Sequence, residues 1–202
     1  MLFRSEQALG SRAQYDMTKF LYVGNPQQEN NSVVTWATSG VATVEDAKRR
    51  EVTMGSTGDD PSSHYPRVMN ALIGTRFKVV LGYPGANEIN LAMERGELDG
   101  RGSTSVSEWK STHADWLAQG KVNVLAQVGR ARAIFLPNAP LLSELVSGEA
   151  DRAVTDLLSA SLAIGRQIFA APDTPPARVA ALRAAFDATM RDRKSTRLNS
   201  SH

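Results

Sequence analysis

The sequence predicts an α/β fold, and three stretches carry that prediction. Phe77 to Ser103, FKVVLGYPGANEINLAMERGELDGRGS, reads as a strand, a Gly/Pro turn, a helix and a short strand. Glu51 to Gly74 repeats the order, with EVTMGS as strand, TGDDPSS as loop and a helix opening at Pro61. Lys121 to Val128, KVNVLAQV, adds a further β-rich run bounded by Gly120 and Gly129. Short apolar, β-branched runs alternating with helical spacing mark sheets covered by helices.

Taken in order, Lys19 to Gly24 reads as a strand, followed by a polar Asn/Gln turn through Asn31 and a second strand at Ser32 to Trp36. Thr43 is placed to cap a short helix ending near Arg50, with Glu45 and Asp46 in its first turn, where carboxylates suit the helix dipole. After the Glu51 to Ser56 strand, Asp60 is a natural cap and Pro61 fits the first helical position. That helix carries Tyr65, Val68, Met69, Leu72 and Ile73 and stops at Gly74; Pro66 is expected to be harmless so close to its start. Phe77 to Leu81 is a strand ended by Gly82, Pro84 and Gly85, and from Asn87 a helix buries Ile89, Ala92 and Met93 and closes at Gly96. Trp109 and Trp116 are expected as core anchors. Beyond the Lys121 strand, Leu136 to Pro140 forms a rigid turn, and Leu141 to Val146 and Ala150 to Ile164 read as helices. Val154, Leu157, Leu158 and Leu162 form the core stripe of the latter. Gln167 to Ala171 is a strand, and Pro175-Pro176 opens a last helix with Val179, Leu182 and Phe186 inward.

Composition narrows the function. The 202 residues are 42% hydrophobic and 22% charged, without a cysteine, so disulfides, thiolate metal sites and Cys nucleophiles are excluded together. No apolar run reaches membrane-spanning length. The formal charge of +2 resides in Asp192 to His202, DRKSTRLNSSH, through Arg193, Lys194 and Arg197 against Asp192. The rest is balanced, so no basic footprint for nucleic acid remains. No HExxH, G-x-S-x-G or GxxxxGK[ST] motif occurs. Glu94 and Glu97 are expected to face solvent and Asp99 a cleft, which leaves no acid/base pair. The two strand-turn-helix joints should instead bring free backbone N-H groups to one sheet edge, where α/β proteins bind ligands. The reading is a binder, not an enzyme, with no cofactor and no metal.

The run GYPGANEINLAMERGELDGR, with VTMGSTG before it and KVNVLAQVG after it, resembles the substrate-binding proteins of tripartite tricarboxylate transporters, over about Tyr15 to Met190. The resemblance implies a type II periplasmic-binding-protein fold, two lobes with mixed sheets and the first lobe incomplete. Residues 38–123 would be lobe 2, 1–37 and 124–191 a remnant of lobe 1, and 192–202 a non-native tail that looks like a translated sequencing adapter. The lobe crossings are expected near Trp36 to Gly40 and at Lys121 to Val128. MLFRSEQALGSRAQYD lacks a signal-peptide pattern, so either the protein is cytoplasmic or the chain is an internal fragment of a periplasmic protein, and the adapter-like tail favours the fragment.

Carried over residue by residue, the resemblance implies ligand contacts from Ser56, Thr57, Gly58 and Ser62 at the first joint and Tyr83, Pro84, Gly85 and Asn87 at the second. Asp99, Arg101 and Ser103 would add polar groups to the cleft wall. Structural alternatives stand beside these: Thr57 and Ser62 as caps, Arg101 as an ion-pair partner of Asp99 or Glu97. Asp59 and Asp60 depart from the small neutral residues of several relatives, which argues against a highly charged tricarboxylate. The implied function is an extracytoplasmic receptor that holds a small organic solute, a carboxylate, and delivers it to membrane permease subunits. Two other classes stay open: an effector-sensing domain of a transcription regulator, and an α/β enzyme whose catalytic part is missing.

Overall fold

The computed structural model describes residues 16–26, 29–163 and 167–192. The adapter-like tail beyond Asp192, the segment 1–15 and Ile164 lie outside the described residues. The chain forms two compact units, one of residues 30–160 and one of 1–29 with 161–202.

The larger unit is built on a mixed five-stranded sheet of β2 (Asn31–Trp36), β3 (Val52–Gly55), β4 (Phe77–Val80), β5 (Gly100–Ser105) and β6 (Val122–Val128), in the order β4-β3-β5-β2-β6. β3 runs parallel to both β4 and β5, while β2 is antiparallel to β5 and β6. The strands expected to cross between lobes, β2 and β6, are thus adjacent members of this one sheet.

The helices of this unit follow their caps. In α1 (Val44–Arg49), Thr43 Oγ1 accepts from Asp46 N at 3.2 Å, and Thr43 N donates to Asp46 Oδ2 at 3.0 Å. α2 (Pro61–Ile73) begins at the Asp60 cap and ends at Gly74, whose φ of 73° only glycine adopts without strain. Pro66 is the sixth helical residue, not part of the first turn, so it does remove a helical N-H, the one that would bond Ser62 O. The helix continues past it with that carbonyl pressed against β5: a Cβ on Gly102 would run into Ser62 O and the Pro66 ring. α3 (Ala86–Glu94) buries Ile89, Ala92 and Met93 in one core with Val34, Leu98, Trp109, Trp116 and Val122. α4 (Val106–Ser111) and α5 (Ala114–Ala118) supply the tryptophans. Trp116 meets Trp36 edge-on at 4.8 Å, and Trp109 Nε1 donates to Ser32 Oγ at 2.8 Å, so both are core anchors.

Two helical expectations need correction. Leu141 to Val146 holds a single 3-10 turn, Leu142–Glu144, in which Glu144 Oε2 accepts from Leu141 N at 2.8 Å. In α6 (Glu149–Ala163) the buried face is Thr155, Ser159 and Leu162, whereas Leu157 is 74% exposed. The helix is turned so that small hydroxyl residues face inward.

The smaller unit pairs β1 (Leu21–Gly24) antiparallel with β7 (Ile168–Ala170) beneath α7 (Pro176–Arg191). Val23, Ala170 and Val179 form its core, and the Phe186 ring lies on Gly24, where a Cβ would clash with it. Leu182, expected inward, is 44% exposed; Arg183 Nε, on the same helix, donates to Tyr22 O at 2.9 Å.

Candidate functional site

The parallel pairing of β3 and β4 brings the two joints out of the sheet side by side. Ser56 N donates to Val80 O at 2.9 Å and Tyr83 N to Ser56 O at 3.3 Å, so the loops that follow the two strands are bonded to each other. Gly102 lets the first turn of α2 close on β5. Between these elements lies a cavity of about 170 Å³ lined by Thr57, Asp60, Pro61, Ser62, Ala86, Ile89, Arg101 and Ser103.

The first loop is largely self-satisfied. Asp60 Oδ1 accepts from Ser62 N at 2.7 Å and from Ser62 Oγ at 2.6 Å, and Asp60 Oδ2 accepts from Thr57 Oγ1. Thr57 N donates to Ser62 Oγ and Gly58 N to Ser56 Oγ, each at 3.3 Å. Ser63 N and His64 N both donate to Asp60 O at 2.9 Å. Burial pushes the Asp60 carboxyl up, but the hydrogen bonds from Ser62 and Thr57 together outweigh it and hold the group below the ordinary carboxylate range. Asp60 therefore sits as an ionised carboxylate on the N-terminus of α2. Asp59 points elsewhere: its side chain is 86% exposed and pairs with His64 at 2.9 Å and Arg67 at 3.5 Å.

The second loop is open by comparison. Gly85 caps α3 without any side-chain hydrogen bond, and exposed Glu88 in the first turn supplies the nearest carboxylate. Arg101, with only 11% of its side chain exposed, reaches the cavity from β5. Its Nη1 donates to Glu108 Oε1 at 2.9 Å and to Asn90 Oδ1 at 3.3 Å. Behind it His113 Nε2 lies 3.0 Å from Asn90 Nδ2 and 3.6 Å from Glu108 Oε1, with its ring stacked on Trp116 at 4.3 Å. Among the described residues no group of three or more His, Cys, Asp or Glu side chains could hold a metal ion.

Of the residues expected at the site, Thr57, Ser62, Arg101 and Ser103 meet at the cavity. Ser56 is buried beneath the loop, bonded to Ser62 Oγ at 2.7 Å and donating to Gly58 O at 3.0 Å, while Gly58 lies in the loop itself. Tyr83 packs on the core, Gly85 serves as a cap, and Pro84 and Asn87 are exposed beside the cavity rather than lining it. Asp99 is elsewhere, at the start of β5. Its Oδ2 accepts from Thr53 N at 2.8 Å and Thr53 Oγ1 at 2.9 Å, and its Oδ1 pairs with Arg50 at 2.9 Å. Sequence reasoning did not count Asp60 among the contacts, although its cap position already implied a side chain turned onto the helix end. Glu108 and Asn90, which hold Arg101, gave no sequence signal of their own.

The chain's backbone superposes on solved structures that include solute-binding proteins. A TctC solute-binding protein from Polaromonas aligns with a TM-score of 0.55 at 16% identity, over 91% of this chain and 73% of that one. A structure described as a periplasmic transporter aligns with a TM-score of 0.64 at 18% identity, over 93% and 60%. MatC from Rhodopseudomonas palustris, with bound malate, aligns with a TM-score of 0.62 at 16% identity, over 96% and 63%. The chain has the fold of periplasmic solute-binding proteins. It spans roughly three fifths to three quarters of the length of these three. No family model and no curated protein matches the sequence. The mixed sheet belongs to that fold, and the cavity of about 170 Å³ lies at the sheet edge where α2 and α3 begin. No helix among the described residues is long and apolar enough to cross a membrane.

Proposed function

We propose that the chain is the solute-capturing part of an extracytoplasmic receptor, which holds a small carboxylate-type solute between two lobes and delivers it to membrane permease subunits. The five-stranded sheet, β2 and β6 included, acts as its second lobe, so the lobe boundaries expected at 37/38 and 123/124, which fall within one sheet, give way to those of the two units. Periplasmic location and hinge closure around the solute follow from the same reading. The observation that carries it is the cavity on which Arg101, Ser103 and the first turns of α2 and α3 converge, in a fold shared with a TctC solute-binding protein and with malate-bound MatC. The Ser103 hydroxyl, the start of α3, which has no side-chain cap, and a guanidinium half-committed to Glu108 stabilise a carboxylate while leaving its release easy.

Calorimetric titration of the full chain with lactate, succinate and citrate tests the reading. Saturable heat with at least one of them supports it; none at millimolar solute overturns it.

A further inference from the structure

We infer that Asp60 makes this cavity selective for small monocarboxylates that also carry a hydrogen-bond donor, a hydroxyl or an ammonium, and turns away di- and tricarboxylates. The inference rests on the receptor reading and narrows its solute class.

The two ionised side chains that line the cavity have opposite sign and come from different elements, Asp60 from the cap of α2 and Arg101 from β5. At the α2 end the N-H groups of Thr57, Gly58, Ser62, Ser63 and His64 are already taken within the loop, several by Asp60 itself. A guest carboxylate arriving there meets a carboxylate and no spare amide from these five. Asp60 still has acceptor capacity, because a carboxylate offers about four lone-pair sites and three are used here, two on Oδ1 and one on Oδ2. That wall therefore accepts hydrogen bonds.

The β5 wall donates. Only Nη1 of Arg101 is engaged by Glu108 and Asn90, and a guanidinium carries about five N-H donors. Ser103 adds a hydroxyl, and α3 begins beside it without a side-chain cap. One carboxylate placed against Arg101 leaves the rest of a small guest facing Asp60 across a cavity of about 170 Å³. A hydroxyl or ammonium satisfies that carboxylate, whereas a second anionic group is repelled by it. Asp59, although adjacent in sequence, is turned to solvent and takes no part.

The test is calorimetry on the full chain with lactate, alanine, succinate and citrate, for the wild type, Asp60→Asn, Asp60→Ser and Asp59→Asn. Asn and Ser both remain competent caps, and cooperative melting of each variant is checked first. The wild type should bind lactate or alanine at least about tenfold more tightly than succinate or citrate, a preference that shrinks severalfold in both Asp60 variants and persists in Asp59→Asn. Succinate or citrate binding as tightly as lactate and alanine in the wild type overturns the inference while leaving the receptor reading intact. An undiminished preference in folded Asp60→Asn and Asp60→Ser does the same; if neither variant folds, the wild-type ranking decides alone. No saturable heat with any of the four solutes removes the receptor reading and this inference with it.

Discussion

Asp60 Oδ1 accepts two hydrogen bonds from Ser62, one from its amide at 2.7 Å and one from its hydroxyl at 2.6 Å. The carboxylate is at once the cap of α2 and the brace of the loop after β3. Replacing it with alanine should lower stability by about 1–2 kcal/mol, and with asparagine by less, since the amide oxygen keeps one acceptor. Urea melts with an unchanged slope would show this as a shift in midpoint alone.

The same group sets an acid sensitivity. Its carboxyl titrates below the ordinary value of 3.8 in the folded chain, so folding favours the ionised form. The stabilisation is complete above the unfolded value and is lost as pH falls through the lower folded one. Wild type should therefore exceed Asp60→Asn in melting temperature near neutrality by more than it does once both are measured below that window. A gap that stays constant with pH would refute the linkage.

Two glycines close to the site should behave in opposite ways. Alanine at Gly102 meets Ser62 O and the Pro66 ring, so it should cost about 1–3 kcal/mol by forcing α2 away from β5, and should weaken solute binding as the cavity wall shifts. Alanine at Gly58 finds no atom within 4 Å and no left-handed backbone, so stability should change by less than about 1 kcal/mol. Thermal melts and titrations on the pair check both.

Trp109 joins α4 to β2 through its indole N-H on Ser32 Oγ, at 2.8 Å and out of contact with water. Trp109→Phe should lose about 1–3 kcal/mol, combining the lost bond with a small packing defect. Ser32→Ala should cost a similar amount by orphaning the indole N-H, and the double variant should cost less than the two singles added together.

Arg101 and Glu108 form the ion pair behind the cavity, with side chains 11% and 23% exposed. Arg101→Met should abolish carboxylate binding and lower stability by about 2–3 kcal/mol, less than for a fully buried pair because water still reaches Glu108. Glu108→Gln should raise affinity for a monocarboxylate severalfold by leaving the guanidinium less neutralised. Adding Glu108→Gln to Arg101→Met should restore part of the stability and none of the binding.

Much of the fold was legible because local rules and tertiary packing agree there. Thr43, Asp60, Pro61, Gly74 and Gly96 punctuate helices where capping chemistry requires, and the apolar runs at Val52, Phe77 and Val122 became sheet strands. The reading failed where burial, not spacing, decided. The apolar positions of α6 suggested an inward stripe, yet Leu157 is exposed while Thr155 and Ser159 are buried. Pro66, expected in the first turn, lies beyond it, and its ring sits against Gly102 of β5.

At the site, sequence reasoning found the right loops but mixed lining residues with supports. Ser56 and Asp99 differ from Thr57 and Arg101 by one or two positions, yet one is buried under the loop and the other is bonded to Thr53 and Arg50. Position along the strands separates them, since Asp99 lies level with Thr53 before β5 begins while Arg101 is paired with Gly55 at the end of β3, and that is not visible without the sheet register.

By itself the sequence determined the alternation of strands and helices, the helix ends, and the two strand-turn-helix joints. These follow from dihedral preferences, capping and apolar spacing, all of which act over a few residues. Only the tertiary structure decided that Arg101 leans on Glu108 and Asn90. It alone put a carboxylate and a guanidinium on the lining of the same cavity. Those outcomes depend on which groups, distant along the chain, compete for the same hydrogen bonds once the sheet has brought them together.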